Sequence, residues 1–195
     1  MICTPQPNEI EGFSTDPQSP YFYVWYISGN LERFTDSWEN GEQGQELPMG
    51  SMEEILSGFP IIIEHPVSWG DMDANGHVNN VWFFRYIENA RVAYYKKIGK
   101  FEYEKETGVT LVIASISCKL LAPLFYPDTV IVGARVSTVS NDGATMLNRV
   151  VSSEQRRIVA EAETAIVSFN GPHGKKTPFP EPLKLNIERL ERRTC

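Results

Sequence analysis

Apolar positions along the chain follow two periods, and the switches between them mark the elements. Phe59 to Trp69 reads as a strand, with Ile61, Ile62, Ile63 and Val67 in a β-branched, extended run. From Asn80 the period lengthens. Phe83 or Phe84, Ile87, Ala90, Tyr94 and Ile98 recur at helical spacing, which predicts a helix over Asn80–Ile98. Asn79 or Asn80 can cap its start, Lys96 and Lys97 suit the negative end of its dipole, and Gly99 stops it. About 18 residues at 1.5 Å each give a rod of roughly 27 Å. Its other side carries Trp82, Arg85, Asn89, Val92 and Tyr95, which is apolar for a solvated face, so this helix is expected to be covered nearly all round.

After the helix the period returns to two. Ile116, Cys118 and Leu120 alternate with Ser115, Ser117 and Lys119, and Val130, Val132, Ala134 and Val136 alternate with Ile131, Gly133, Arg135 and Ser137. A turn at Asn141-Asp142-Gly143 leads to a strand over 145–151. Ser153-Glu154-Gln155 leads to another over 157–169, in which Ile158, Ala160, Ala162, Thr164 and Ile166 are expected to share one face. Four strands thus follow the helix and one precedes it, and the short turns between the last three imply an antiparallel meander. One sheet wrapped on one buried helix, an α+β fold, is the economical architecture. Ser51-Met52-Glu53-Glu54 fits a capping box with Gly58 as a stop, and Leu183, Ile187 and Leu190 suggest a short amphipathic C-terminal helix.

Composition divides the chain into a leader, 1–50, and a body, 51–195. The leader is rich in Pro, Gly, Ser, Gln and Glu, and is expected to be mostly mobile or loosely attached. Its cluster Tyr21, Phe22, Tyr23, Trp25 and Tyr26 is a candidate stray strand, and Met49 or Met52 is an alternative start of translation. One Arg against eight acids puts a net charge of −7 in residues 1–50, and the body is neutral with 17 basic and 17 acidic residues. A neutral body argues against nucleic acid, which needs a basic face. No apolar run approaches the roughly 18–20 residues needed to span a bilayer, and the first residues lack the pattern of a secretory signal. Cys3, Cys118 and Cys195 are odd in number, with neither metal nor disulfide spacing, which fits a reducing cytoplasmic home.

The densest polar cluster runs from Trp69 to Asn80, between the first strand and the start of the long helix. Helix starts present unpaired N–H groups and the positive end of a dipole, which can hold a developing oxyanion. A carboxylate just upstream can attack a carbonyl held there, or activate water against it. Asp73 and His77 are four apart with Asn75 between, so a curled loop brings all three together. Asp73 is then the nucleophile or general base, His77 orients it or the substrate, and Asn75 holds a water or the substrate. The blander reading makes Asp73, Asn75 and Asn79 turn and cap residues and His77 a hydrogen-bonded packing residue; on chemistry alone it stands ahead. Asp71 reads as structural.

The run Asp71-Met72-Asp73-Ala74-Asn75-Gly76-His77-Val78-Asn79-Asn80, followed by Phe84 to Arg91, resembles the signature of hotdog-fold thioesterases. The similarity is to the 4-hydroxybenzoyl-CoA thioesterase-like and acyl-CoA thioesterase groups. The Asp-x-Asn-x-His-Val-Asn-Asn part is also similar to acyl-acyl-carrier-protein thioesterases. It covers about residues 59–185. The resemblance implies an antiparallel five-stranded sheet around a central helix, and homodimers or homotetramers with the active site between subunits. It implies hydrolysis of an acyl thioester to a free acid and a thiol, with no metal or redox cofactor and with coenzyme A (CoA) entering as part of the substrate. It places the catalytic carboxylate on Asp73, the polar pair on Asn75 and His77, and the oxyanion donor near Asn80. Gly76, Val78, Asn79 and Phe83 fall to substrate binding. Arg135, Lys175 and Lys176 are candidate partners for phosphate. Glu88 would be the carboxylate in relatives that carry it on the helix, but an i,i+3 pair with Arg91 is the preferred reading. The alternatives are an acyl-acyl-carrier-protein thioesterase and a non-catalytic acyl-binding or assembly module.

Overall fold

The computed structural model describes residues 52–171 and 174–192; the expected leader, with its aromatic cluster, lies outside them. The elements are α1 (Met52–Ile55), β1 (Ile61–Pro66), a 3-10 turn (Trp69–Asp71), α2 (Asn80–Lys97), α3 (Lys100–Thr107), β2 (Val109–Leu120), β3 (Thr129–Val139), β4 (Gly143–Ser152), β5 (Arg157–Asn170), β6 (Lys175–Lys176) and α4 (Glu181–Arg192).

Five strands form one antiparallel sheet in the order β1-β3-β4-β5-β2, and the two-residue β6 adds to the end of β5. The expected meander is β3-β4-β5, and β1 and β2 are the outer strands of the path. The central helix, α2, packs on β1, β3 and β4. Tyr86, Ile87, Ala90, Tyr94 and Ile98 from its inner side meet Val130, Val132, Ala134, Met146 and Val150 in the main core, all of them buried. Burying a side chain of this kind is worth about 1.5–3 kcal/mol, so this layer anchors the helix. Asn79 caps α2 by accepting the Val81 N–H at 3.0 Å, and Gly99 follows its last residues at φ 75°.

A second, smaller core lies on the other face of the sheet. Leu56 and Phe59 pack there with Val151, Ile131 and Ile158. Gly133 makes room for this strap, since a Cβ at that position would meet Phe59 Cγ at 2.7 Å. Arg149 ties it down, giving an Nη1 hydrogen bond to Ile55 O at 2.6 Å with the guanidinium 5.4 Å from the Phe59 ring.

The structure departs from the expected pattern in three places. Ile158 does not share a face with Ala160, Ala162, Thr164 and Ile166. The β4–β5 register shifts between Val150↔Ala160 and Val151↔Ile158, so an extra residue on β5 turns Ile158 toward the strap. A helix over Lys100–Thr107 follows Gly99 where the periodicity marked none; Lys100 is buried there, on the Tyr95 and Phe101 rings. The central helix is not covered all round either, because Val81 and Phe84 in its first turns are exposed.

Candidate active site

The loop between β1 and α2 is built on a buried acid. Asp71 closes the 3-10 turn, and its Oδ2 accepts the Ser68 N–H at 2.9 Å and the Tyr86 hydroxyl at 3.0 Å. Its carbonyl accepts the Asn79 N–H at 2.9 Å. One residue therefore ties the strand exit, the helix start and the inner side of α2 together. The Tyr86 phenol is pushed well above its ordinary value, first by burial and then by the Asp71 charge, so it stays a proton donor to that carboxylate. The His65 ring lies 5.1 Å from the Tyr86 ring and completes this anchor. Asp71 thus anchors the loop, in keeping with its structural reading.

Beyond the anchor the chain curls. Met72 and Val78 form an isolated bridge, the Asp73 N–H donates to His77 O at 2.9 Å, and the Gly76 N–H donates to Asp73 O at 3.0 Å. Gly76 takes φ 77°, a left-handed conformation that costs other L-residues roughly 1–2 kcal/mol, and lets the turn close. The Val78 N–H reaches across to Leu124 O at 2.8 Å, joining the loop to the segment between β2 and β3.

The curl brings Asp73 and His77 together. Their side chains are 12% and 11% exposed, with Asp73 Oδ2 3.8 Å from His77 Nδ1, longer than a hydrogen bond. Asp73 Oδ1 accepts the Asn75 N–H at 2.8 Å. Asn75 thus meets the carboxylate through its backbone, and its residue lies exposed at the tip of the loop.

Asn80 is the first residue of α2 and half-buried. Its N–H has no acceptor within its own helix, as at every helix start. The cap uses the Asn79 side chain and the Val81 N–H, which leaves the Asn80 amide as the donor beside the loop. Val78 is buried in the core with its N–H committed to Leu124. Phe83 is 2% exposed and packs edge-on against Tyr86, whereas Phe84 is 40% exposed. Glu88 pairs with Arg85 at 2.6 Å and Arg91 at 3.9 Å, an ion pair on the helix surface.

The candidate phosphate cations lie away from this loop within the chain. Lys175 and Lys176 pair with Phe169 and Asn170 at the far end of β5 from Arg157. Arg135 sits mid-strand in β3, opposite Leu147 and beside Gly58. Sequence reasoning missed Tyr86, the residue that fixes the anchor. The available signal was a tyrosine on the apolar side of the helix, because a buried phenol needs a partner for its hydroxyl.

Trp69, 77% exposed, stands before the loop, and Leu121, Phe125 and Tyr126 are exposed in the segment beside it. A half-buried carboxylate beside an imidazole, a helix N-terminus and an apolar rim can together hold an acyl group and deliver an oxygen nucleophile to its carbonyl.

A profile of the thioesterase-like superfamily matches residues 67–187. Among solved structures, a Thermus thermophilus thioesterase complexed with coenzyme A and zinc is 30% identical, with a TM-score of 0.62 over 71% of this chain and 98% of its own. Among curated sequences, the uncharacterized Bacillus subtilis protein YsmA is 28% identical over 94 residues, 48% of this chain and 63% of that protein. An Aquifex aeolicus protein, provisionally named an esterase, is 35% identical over 72 residues, 36% of this chain and 56% of that protein. The matches therefore span less than two thirds of either curated relative's length.

Proposed function

The chain belongs to the thioesterase-like superfamily, and from that premise we propose that it hydrolyses acyl-CoA thioesters to a free carboxylic acid and coenzyme A. The observation that carries this reading is the placement of the Asp73 carboxylate, half-buried beside His77, on a loop that Asp71 and Tyr86 pin to the start of α2. Asp73 serves the turn through Oδ1, which accepts the Asn75 N–H, but neither the cap made by Asn79 nor the anchor made by Asp71 uses its Oδ2, which lies on the His77 side.

In this reading the thioester oxygen rests against the Asn80 N–H. Asp73 Oδ1 is held by the Asn75 amide, which leaves Oδ2, on the His77 side, to act. As a general base, Asp73 takes a proton from water while the oxygen adds to the carbonyl carbon. The negative charge moves to the carbonyl oxygen at the helix start, the C–S bond breaks, and the thiolate leaves and takes up a proton. As a nucleophile, Oδ2 adds directly, the thiolate leaves, and water then cleaves the resulting anhydride. Both routes end in one acid and one thiol, and both need the same two groups. An oxyanion donor of this kind is typically worth about 3–4 kcal/mol of barrier.

The Thermus protein was solved with coenzyme A, which supports CoA as the carrier. It also held zinc, but among the described residues of this chain no three His, Cys, Asp or Glu side chains come together as a metal would require. No step here runs through a metal. No helix among the described residues is long and apolar enough to cross a membrane, and we place the activity in the cytosol.

A second copy of the chain completes the site in this reading. β2 is an outer strand of the sheet path, and its Ile113 and Leu120 are exposed, as are Val81 and Phe84 at the loop end of α2. An exposed apolar edge strand is ordinarily paired or covered. Sedimentation at micromolar concentration is expected to give a dimer or a tetramer; a monomer at full activity would remove the second copy from the mechanism.

The function is tested by thiol release from a panel of short, long and aromatic acyl-CoAs. Steady release from at least one class is the expected result. No release from any member by the folded protein would refute the proposal.

A further inference from the structure

The turn between β4 and β5 sets its backbone against one of its residues. Ser152 pairs with Arg157, so Ser153 to Arg156 form a four-residue loop, and Arg156 closes it at φ 52°. That is the left-handed region, which glycine and asparagine tolerate and other side chains resist. Among the described residues Arg156 is the only non-glycine at positive φ; glycines take that conformation at 58, 76, 99, 108 and 174. Glycine would close this hairpin more easily. An outlier of this kind points toward function when its surroundings supply a reason.

The surroundings hold a second cation in place. Arg157 Nε donates to Gln155 Oε1 at 3.0 Å, and Gln155 Nε2 donates to Pro123 O at 2.9 Å. One residue further along, Leu124 O accepts the Val78 N–H at 2.8 Å, inside the loop that carries Asp73. The turn is thus hooked to the candidate active site through the segment between β2 and β3. With Nε committed, the guanidinium plane is set and its Nη pair is left for another acceptor. Asp128, the neighbouring acid, is occupied by the Thr129 and Glu154 N–H groups and the Ser152 hydroxyl. Arg156 at the end of the turn and Arg157 at the start of β5 are both exposed, and the turn itself carries one acid, Glu154.

We infer that Arg156 and Arg157 bind a phosphate of the thiol carrier whose thioester reaches Asp73; the inference rests on the thioesterase reading above. Arginine forks match phosphate oxygens two at a time, and a preset guanidinium gives up less freedom on binding. A carrier whose phosphates lie a long flexible arm away from the reacting sulfur needs such an anchor away from the carbonyl. Coenzyme A and a phosphopantetheinyl carrier protein both present this chemistry.

The test places one acyl group on three carriers: coenzyme A, acyl carrier protein, and pantetheine, which has no phosphate. In the double variant Arg156→Gly/Arg157→Gln, KM for at least one phosphate-bearing thioester is expected to rise about tenfold or more, while KM for the pantetheine thioester holds. A loss confined to one phosphate-bearing arm identifies the source. Equal changes on all three carriers, or no change, overturn the inference. Arg156→Gly alone is expected to keep or raise Tm, because glycine relieves the turn; a fall would mark Arg156 as structural and count against the proposal. Calorimetric binding of coenzyme A and of the holo carrier protein keeps the test independent of turnover. An affinity at least about tenfold weaker in the double variant supports the assignment. Unchanged affinity, or a wild-type protein that binds neither carrier, defeats it. The thioesterase reading fails separately, if the wild type cleaves none of the three thioesters.

Discussion

Tyr86 and Tyr94 stand about two turns apart on α2, and each gives its hydroxyl to a carboxylate distant in sequence. Tyr86 donates to Asp71 at 3.0 Å and Tyr94 to Glu191 at 2.7 Å. Each acid also accepts a backbone N–H, from Ser68 and from Val136 respectively, at 2.9 and 2.7 Å. The bonds are alike and their settings differ. Around Glu191 the polar groups fasten α4 to the body: Asn186 Nδ2 donates to Ile98 O, and Leu183 and Ile187 are buried below. Around Asp71 the same kind of bond fastens a loop, and that loop carries a further acid, Asp73, toward an exposed apolar rim. One end of the helix is therefore closed by its partners. The other is braced so that Asp73 Oδ2, beside His77, and the Asn80 amide lie outside the bonds that hold the loop and the cap.

The contrast can be broken from either side. The largest stability effect is expected at the closed end. Glu191→Ala leaves the Tyr94 hydroxyl and the Val136 N–H without that acceptor, and denaturant unfolding should show a loss of about 2–3 kcal/mol. Thiol release per folded molecule should hold. A loss of turnover without a loss of stability would reverse the roles of the two ends.

Tyr86→Phe should lower stability by only about 1 kcal/mol and yet reduce turnover about tenfold or more, because misplacement of a reacting group by an ångström is costly. Full activity in this variant would detach Asp71 from the positioning of Asp73. Asn79→Ala removes the cap of α2 and should cost about 1 kcal/mol, read as a lower unfolding midpoint; an unchanged midpoint would show that the capping bond contributes nothing.

A separate effect appears at high pH. Burial holds the phenols of Tyr86 and Tyr94 above their ordinary value of 10.0 and pushes Tyr95 up to about 12. A raised folded value favours the protonated form in the native state. The stability from these groups is therefore complete below pH 10 and declines from there upward, through about 12 for Tyr95. Tyr94→Phe should flatten that decline, and a stability constant across this window would contradict it.

The long helix was legible because Ile87, Ala90, Tyr94 and Ile98 repeat at its period, and its boundaries because Asn79 and Gly99 flank it. β2, β3 and β5 were legible from alternation, β1 from its β-branched run and β4 from the turns on either side of it, though the strand ends were not. β2 begins at Val109, ahead of the alternating residues that marked it. The helix over Lys100–Thr107 went unread because its sequence, KFEYEKET, is mostly charged; its buried position belongs to Lys100, whose ammonium rests on aromatic rings and pairs with Glu104. The face of Ile158 could not be read, since a bulge changes the phase of a strand without changing its composition. At the site, the proximity of Asp73 and His77 followed from their spacing. The anchor did not, because Asp71 and Tyr86 are fifteen residues apart and meet only once the helix packs.

The most direct test of the whole account is the turnover of Asp73→Asn on the best acyl-CoA substrate, with Tm recorded on the same sample. The account predicts a fall of at least about a hundredfold, the lower range for a lost acid–base group, with Tm close to that of the wild type. A folded Asn variant that releases thiol at near the wild-type rate would contradict it.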